Sequence, residues 1–501
     1  MRSIEILVVL ANLLACCVLA IPLPHSALWM RYWVPIALLV AVVQVLVEGP
    51  RWQMVPAYAL SGVCLLIWLV QQLAPAGGLG GRLLAAWPGV GMGLGLSVLA
   101  LALTSALPLI FPVFQFPQPS GPYAIGTLTY HWVDAQRPEV FTADPGARRE
   151  LMVQIWYPAR AGAASAQTPY LQNPDALTAA LARLHNLPTF ALRHLAYVTT
   201  HASEAVPVAD ALPSYPVLIF LEGLTGYRQM STFQVEELVA HGYIVVGIDQ
   251  PGAAGAVVFP DGHQIVGLSK AQMEPLTQQS ASPAETAPVL NGRAFKEGII
   301  PYFAQDVSFT LDQLAAINTA DPNNILTKKL DLQRTGMFGV SFGGIVGAEA
   351  CLNDPRLAAC LVMDVLMTAN VVQQGLQQPS MWITRDADTM RRERQTAGGW
   401  TEQDIAQTLT TMRAVYDRLP GDGYFVQVPG MFHIDLTDIT YVSWLFPRVG
   451  FSGPIGVQRA HDIVNAYSLA FFDRHLKGQP AALLDGPAED YPEVRFETRR
   501  P

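Results

Sequence analysis

The run "TGMFGVSFGG" holds a serine between two spaced glycines, Gly339, Ser341 and Gly343. The chemistry it could do is nucleophilic attack on a carbonyl carbon. A serine hydroxyl does this only when a neighbouring base removes its proton, and the base, a histidine, needs a carboxylate to hold its tautomer. Small residues two before and two after the serine suit a sharp strand-to-helix turn, where larger side chains would collide. In a chain with 40 glycines such spacing also arises by chance. Context decides: the β-like "TGMFG" precedes the serine and the helix-compatible "GIVGAEACL" follows it.

The histidine is expected later in the chain, which leaves His433, His461 and His475. His461 and His475 lie on the helix-patterned "AHDIVNAYSLAFFDRHL", where an exposed or capping role is expected. His433 follows the strand-like "YFVQVPG" in the loop "MFHIDLTD", from which it can reach back to the serine. The carboxylate stays open between Asp364, which ends "AACLVMD", and Asp386 and Asp388, which end "SMWITRDAD". Asp435 and Asp438 lie close to His433 and read equally well as surface or capping residues. An oxyanion hole needs backbone donors rather than a residue type. One is expected at the amide of Phe342, the other at Leu224 or its neighbours in "GLTGYR".

These residues need elements to hold them. Beyond about residue 115 short apolar strands alternate with amphipathic helices, the pattern of an α/β fold with a mostly parallel central sheet flanked by helices. "LMVQIWYP", "PVLIFLEG" and "YIVVGID" read as strands. "STFQVEELVAHG" reads as a helix that opens with Ser231 and Gln234 at capping-box spacing and closes on Gly242. "VVFPDGHQIVG" predicts a hairpin at Asp261 and Gly262. The polar, proline-containing run after it predicts a lid-like excursion near residues 255–300.

The first hundred residues differ. Only 14% of the chain is charged, and before residue 115 the charges are Arg2, Glu5, Arg31, Glu48, Arg51 and Arg82. Four apolar stretches, about 4–23, 33–47, 54–73 and 87–113, are long enough to cross a bilayer. Pro22 and the "APAGGLGG" run punctuate them. Trp29, Tyr32, Trp33, Trp52 and Trp87 fall near their ends, and Gly91 and Gly95 would let another helix approach closely. The first stretch has features of a signal peptide, with Arg2 ahead of it and "VLA" within it, and "LLAC" ahead of Cys17 resembles a lipoprotein box. Its apolar run continues past each of these, so a bundle of about four transmembrane helices is expected over residues 1–114. "FQFPQPSGPY" is the linker to a catalytic domain over residues 115–501. Four spans put that domain on the side of the amino terminus, and Arg2, Arg51, Arg137, Arg148 and Arg149 tip that side to the cytoplasm.

The net charge of −9, without a basic run, gives no reason to expect a nucleic acid partner. Five cysteines fit neither a zinc site nor a disulfide framework. No metal and no cofactor are expected. The expected partners are the bilayer and a lipid or other ester substrate.

Taken as a set, "LMVQIWYP", "PVLIFLEGLTGYR", "LVAHGYIVVGIDQPG", "GVSFGG", "LVMDVLM", "PGMFHIDLTDI" and "AFFDRHLKG" resemble the platelet-activating-factor acetylhydrolase group of α/β-hydrolases. "PSGPYAIGTLTYHWVD" and "LARLHNLPTFALRHLAYVTTHA" are similar to its bacterial members. The resemblance covers about residues 117–480 and leaves the amino-terminal helices outside. It implies an α/β-hydrolase fold and a calcium-independent serine esterase that forms an acyl-enzyme. The substrates it implies are short or oxidised sn-2 acyl chains of phospholipids, or simpler carboxylic esters. The family pattern "LDAWM" falls on "MDVLM", which implies Asp364 as the acid, and the family's oxyanion donors fall on Leu224 and Phe342.

Two departures stand out. Glu222 replaces the family's usual histidine before the oxyanion-loop glycine, and Val340 stands where members often have histidine. An ionised Glu222 would oppose a developing oxyanion; one hydrogen-bonded away from it would change little. The expected function is therefore a membrane-anchored esterase of lipid esters, phospholipase A2-like in reaction. The alternative is a general carboxylesterase for small or polyester substrates. A reading of another class is a membrane sensor or transporter whose hydrolase-fold domain binds without cleaving. Glu222 favours it; the Ser-Asp-His order and the scarcity of polar residues in the helices, chiefly Asn12, Gln44 and Gln71, oppose it.

Overall fold

Apolar residues on every side make the first helices. The computed structural model describes residues 1–21, 23–73, 90–163 and 166–500, and of residues 90–94 and 96 the backbone alone. It divides into two units, Met1–Phe114 with Val442–Trp444, and Gln115–Tyr441 with Leu445–Pro501. In the first, Ser3–Ala20, His25–Glu48 and Trp52–Leu73 are helical runs long and apolar enough to cross a membrane. Ser97–Ile110 is a shorter apolar piece of the helix Val90–Ile110. Three of the four expected spans thus meet the length among the described residues. Residues 87–89 of the fourth, Trp87, Arg82, Pro22 and the "APAGGLGG" run lie outside them.

Small residues such as Ala11, Ala15, Ala37 and Ala57 are buried between these helices, while Leu46, Leu66 and Leu73 face outwards. This inverts a soluble bundle and fits packing in lipid. Among the described residues, nothing lies within 4 Å of a Cβ built at Gly95. Arg2, Glu5, Glu48 and Arg51 collect at one end, and Arg31 follows the far end of the first helix. Glu5 accepts from Arg51 Nε at 2.6 Å and Nη2 at 2.7 Å and from Arg2 Nε at 2.9 Å. Arg51 Nη1 also donates to the Phe111 carbonyl at 2.8 Å. Asn12 donates to the Ala57 carbonyl at 3.0 Å and accepts from Ser61 Oγ at 2.7 Å. Asn12 thus joins helices instead of facing a path through them.

The second unit is built on an eleven-stranded sheet. Its strands, in chain order, are β1 (Ala124–Pro138), β2 (Arg148–Ala159), β3 (Gln167–Pro169), β4 (Thr199–Glu204), β5 (Tyr215–Leu221), β6 (Ile244–Asp249), β7 (Leu330–Val340), β8 (Leu357–Met363), β9 (Ser380–Thr384), β10 (Gly423–Gln427) and β11 (Arg495–Arg499). The spatial order is β11-β10-β9-β8-β7-β5-β6-β2-β1-β4-β3. From β10 to β6 all neighbours are parallel. β5, β6 and β9 are buried along their whole length, as parallel strands covered on both faces must be. The helices Ile300–Thr319 and Phe342–Asn353 contribute to the core cluster on one face, and Thr232–Ala240 and Val457–Lys477 to the other. This is the α/β-hydrolase fold.

The hairpin forms as expected, Ala256–Val258 against Gln264–Val266, with Gly262 at φ +90° in its turn. The excursion continues into the helix Lys270–Ala281. The capping box does not form. Ser231 is the N-cap of Thr232–Ala240, but its hydroxyl makes no cap bond. The carboxyl of Asp438 takes the Thr232 and Phe233 amides instead, at 2.6 and 3.1 Å, and Gln234 turns to Ser468 Oγ. One carboxyl offers two acceptors to the orphan amides of a helix start, which a single hydroxyl cannot.

Candidate active site

The serine stands at the break between β7 and the helix Phe342–Asn353. Ser341 has φ 54° and ψ −123°, a strained conformation for a residue with a side chain, and its amide donates to the Met363 carbonyl of β8 at 2.8 Å. The flanking glycines are obligatory here. A Cβ at Gly339 would lie 2.4 Å from the Gly343 carbonyl oxygen, and one at Gly343 only 2.1 Å from that of Leu221. Gly223 is less constrained: a Cβ there would sit 3.4 Å from the Ser341 Cβ, an ordinary contact.

The next strand along ends at the candidate acid. Asp364 follows β8 at φ 54°, and His433 opens the short helical turn His433–Leu436 beyond β10. His433 Nδ1 lies 2.6 Å from Asp364 Oδ2. The other candidate carboxylates are engaged elsewhere. Asp386 caps the helix Ala387–Ala397 through the Thr389 amide at 2.8 Å and faces Arg495 at 2.9 Å. Asp388 pairs at the surface with Arg391, and Asp435 accepts the Phe432 and Gly453 amides. His461 and His475 are neither exposed nor capping. His461 stacks on Phe233 at 3.7 Å with Nδ1 on the Tyr441 hydroxyl, and His475 meets the Tyr424 hydroxyl at 3.1 Å. Burial lowers their pKa values to about 3 and about 4, which keeps both imidazoles neutral in the core.

Four contacts surround Asp364, which is fully buried. Besides His433, Thr384 Oγ1 donates to Oδ1 at 2.8 Å, the Arg385 amide to Oδ1 at 3.3 Å, and the Arg385 guanidinium lies 2.7 Å from Oδ2. Burial alone would raise this pKa. The Arg385 cation and the imidazole outweigh it and hold the carboxyl well below the ordinary range. Asp364 is therefore ionised whenever His433 can act as a base.

A cavity of about 160 Å³ opens on the serine, with Leu224, Phe342, Met273, Val365 and Trp400 among its walls. A larger one, about 430 Å³, lies against the helix Val457–Lys477 and touches none of these residues. Chemistry, not size, marks the site. Phe342 is the first residue of its helix, so its amide has no place in the helical ladder. Around Leu224, the Thr225 amide bonds the Ala253 carbonyl and the Gly226 amide bonds that of Gly223, which fixes the loop and leaves the Leu224 amide outside both bonds.

Glu222 is buried beneath this loop and accepts the Gln250 amide at 3.4 Å. Burial and the neighbouring Asp249 carboxylate push its carboxyl well above the ordinary value. Asp249 has the Arg228 guanidinium as its partner, so the shared proton belongs on Glu222. A neutral Glu222 presents no charge to oppose an oxyanion. Val340, the second departure, packs in the core. Sequence reasoning missed Arg385, Glu393 and Trp400, which surround Asp364 and His433.

The family model described as platelet-activating factor acetylhydrolase, isoform II, matches residues 110–482. A probable 1-alkyl-2-acetylglycerophosphocholine esterase of Arthroderma benhamiae is 23% identical over 419 residues, 79% of this chain and 96% of its own. The platelet-activating factor acetylhydrolase of Canis lupus familiaris is 22% identical over 56% of this chain and 61% of its own length. Among solved structures, a ferulic acid esterase from Streptomyces cinnamoneus is similar with a TM-score of 0.58 and 26% identity, over 77% of this chain and 99% of that one.

Proposed function

The chain belongs to the platelet-activating factor acetylhydrolase, isoform II, family and is a carboxylic ester hydrolase, and we propose that it works as a membrane-anchored serine esterase on short or oxidised acyl esters of lipids. The observation that carries the mechanism is the 2.6 Å contact of His433 with Asp364, one strand from the Ser341 elbow. With Nδ1 committed to the carboxylate, Nε2 is free to take the serine proton as Oγ attacks the ester carbonyl. The Phe342 and Leu224 amides receive the oxyanion. Collapse of the tetrahedral adduct breaks the ester C–O bond, and His433 returns the proton to the departing alcohol. A water then attacks the acyl-enzyme, giving a proton to His433, which passes it to Ser341 Oγ as the acyl C–O bond breaks and the acid leaves.

The small apolar cavity at the serine supports a short acyl group, and the apolar helices would hold the enzyme where lipid esters are concentrated. Reconstituted full-length protein is expected to hydrolyse p-nitrophenyl acetate and butyrate with kcat/KM at least ~10-fold above octanoate, since each methylene that fails to fit costs about 1–3 kcal/mol. It should also release short sn-2 acyl groups from phospholipid vesicles. Equal rates along the series would sink the short-acyl assignment. Hydrolysis of soluble esters with none from vesicles would favour a second reading, a general carboxylesterase, which the likeness to a ferulic acid esterase supports.

The catalytic domain is assigned to the side of the amino terminus, the cytoplasm. Support comes from the first unit, where Arg2, Arg51 and the Phe111 carbonyl meet at one end of the bundle. A reporter fused after Pro501 is expected to be active in the cytoplasm. Activity restricted to the other side would reverse the orientation.

A further inference from the structure

Arg385 follows the last residue of β9 and is completely buried, although nothing in the elbow mechanism uses it. It approaches the same carboxylate oxygen as the imidazole. Arg385 Nη2 is 2.7 Å from Asp364 Oδ2, and His433 Nδ1 is 2.6 Å from it. On its far side Arg385 Nη1 pairs with Glu393, and the same Glu393 oxygen accepts the His433 backbone amide at 3.1 Å. The four residues close a ring: Arg385, Asp364, His433, Glu393. Trp400 seals it, its ring 4.6 Å from the Arg385 guanidinium carbon and edge-on to His433 at 5.3 Å. Trp400 also forms part of the wall of the cavity at Ser341, so the ring borders the substrate space.

In a bare triad the carboxylate serves the histidine alone and stabilises the imidazolium that forms when the serine proton moves. Here a cation draws on the same oxygen and an anion lies behind the cation. Asp364 meets the imidazole with Arg385 behind it, and Glu393 takes the His433 backbone amide; Asp435, two residues on, is turned to the Phe432 and Gly453 amides, and Asp386 beside Arg385 to Arg495. A cation in this position disfavours the imidazolium, and an anion favours it.

We propose that Arg385 and Glu393 are positioning residues that set the basicity of His433 through Asp364, in opposite directions. This rests on the reading of Ser341, His433 and Asp364 as a triad. A purely structural role, filling the space under Asp364 and neutralising it, would leave the imidazole titration where it is. Tuning moves it with a sign fixed by which partner is removed.

The test titrates His433 in the detergent-solubilised full chain, by NMR of labelled imidazole carbons, with its resonance identified by loss in His433→Asn. The acid limb of kcat/KM is followed in parallel. Arg385→Gln is expected to move the His433 midpoint up by about one pH unit and Glu393→Gln to move it down, while Arg385→Lys, which keeps the charge, stays near wild type. If Arg385→Gln fails to fold, Glu393→Gln carries the test by its downward shift. A midpoint that stays put in the variants that fold, or moves with the opposite sign, overturns the proposal. The titration reads out whether or not ester is turned over. A wild type that hydrolyses nothing therefore defeats the esterase mechanism without being mistaken for a failure of the tuning.

Discussion

Replacing Ser341 by alanine is expected to lower kcat for p-nitrophenyl butyrate by roughly 10⁴–10⁶-fold, with the thermal unfolding midpoint unchanged within error. Chemically, the hydroxyl is the only atom removed, and no acyl-enzyme forms without it; what remains comes from the oxyanion amides and substrate binding alone. Structurally, alanine keeps the Cβ, so the strain of φ 54° and ψ −123° is the same in both proteins. The backbone bonds that impose it, from the Ser341 amide to Met363 and from Gly344 to the Ser341 carbonyl, are untouched. Activity within about tenfold of wild type would remove Ser341 from the mechanism. A wild type inert towards every ester tried would revive the sensor or transporter reading.

Much of this site could be read from the chain because the elbow is a local device. Gly339, Ser341 and Gly343 are constrained by contacts within a few residues and with the adjacent β5 end, and spacing records such constraints. His433 was legible for a similar reason, as a histidine in the loop after a strand. The acid was not. Asp364 and Asp386 both end apolar strands, and residue patterns cannot say which strand lies beside the elbow. The side-chain contacts separate them: His433 Nδ1 meets Asp364 at 2.6 Å, while Asp386 caps its helix and faces Arg495. The family resemblance supplied that choice before the geometry did. Arg385, Glu393 and Trp400 left no pattern, since the end of β9, the helix Ala387–Ala397 and the turn after it bring them together only in the fold. The same limit explains the capping box. Ser231 and Gln234 have the right spacing, but Asp438, far away in sequence, occupies the helix start. His461 and His475 were misread because a polar residue type was set above position: both lie on the one apolar stripe of Val457–Lys477, with Val464, Ser468, Phe471 and Phe472, which packs on the core.

The carboxylates separate most sharply by mutation. Asp364→Asn is expected to cost about 10⁴-fold in kcat near neutral pH, whereas Asp386→Ala should keep kcat within about threefold and lose roughly 1 kcal/mol of stability as a missing helix cap. Asparagine matches the aspartate in size but can present an N–H to His433 Nδ1, which turns the imidazole to the tautomer whose Nε2 already carries a proton. It also removes one of the two carboxylates paired with the buried Arg385, Glu393 remaining. The pH dependence of stability has a definite sign. The Asp364 pKa is depressed in the folded chain, so the unfolded chain binds the extra proton and folding gains stability as pH rises. That contribution is complete above the ordinary value of 3.8 and is lost as pH falls below it. Asp364→Asn abolishes it, and its unfolding free energy should converge towards that of the wild type only in that acid range. Parallel stability profiles would mean that Asp364 is not the paired anion. An inactive Asp386→Ala beside a normal Asp364→Asn would move the acid to the end of β9.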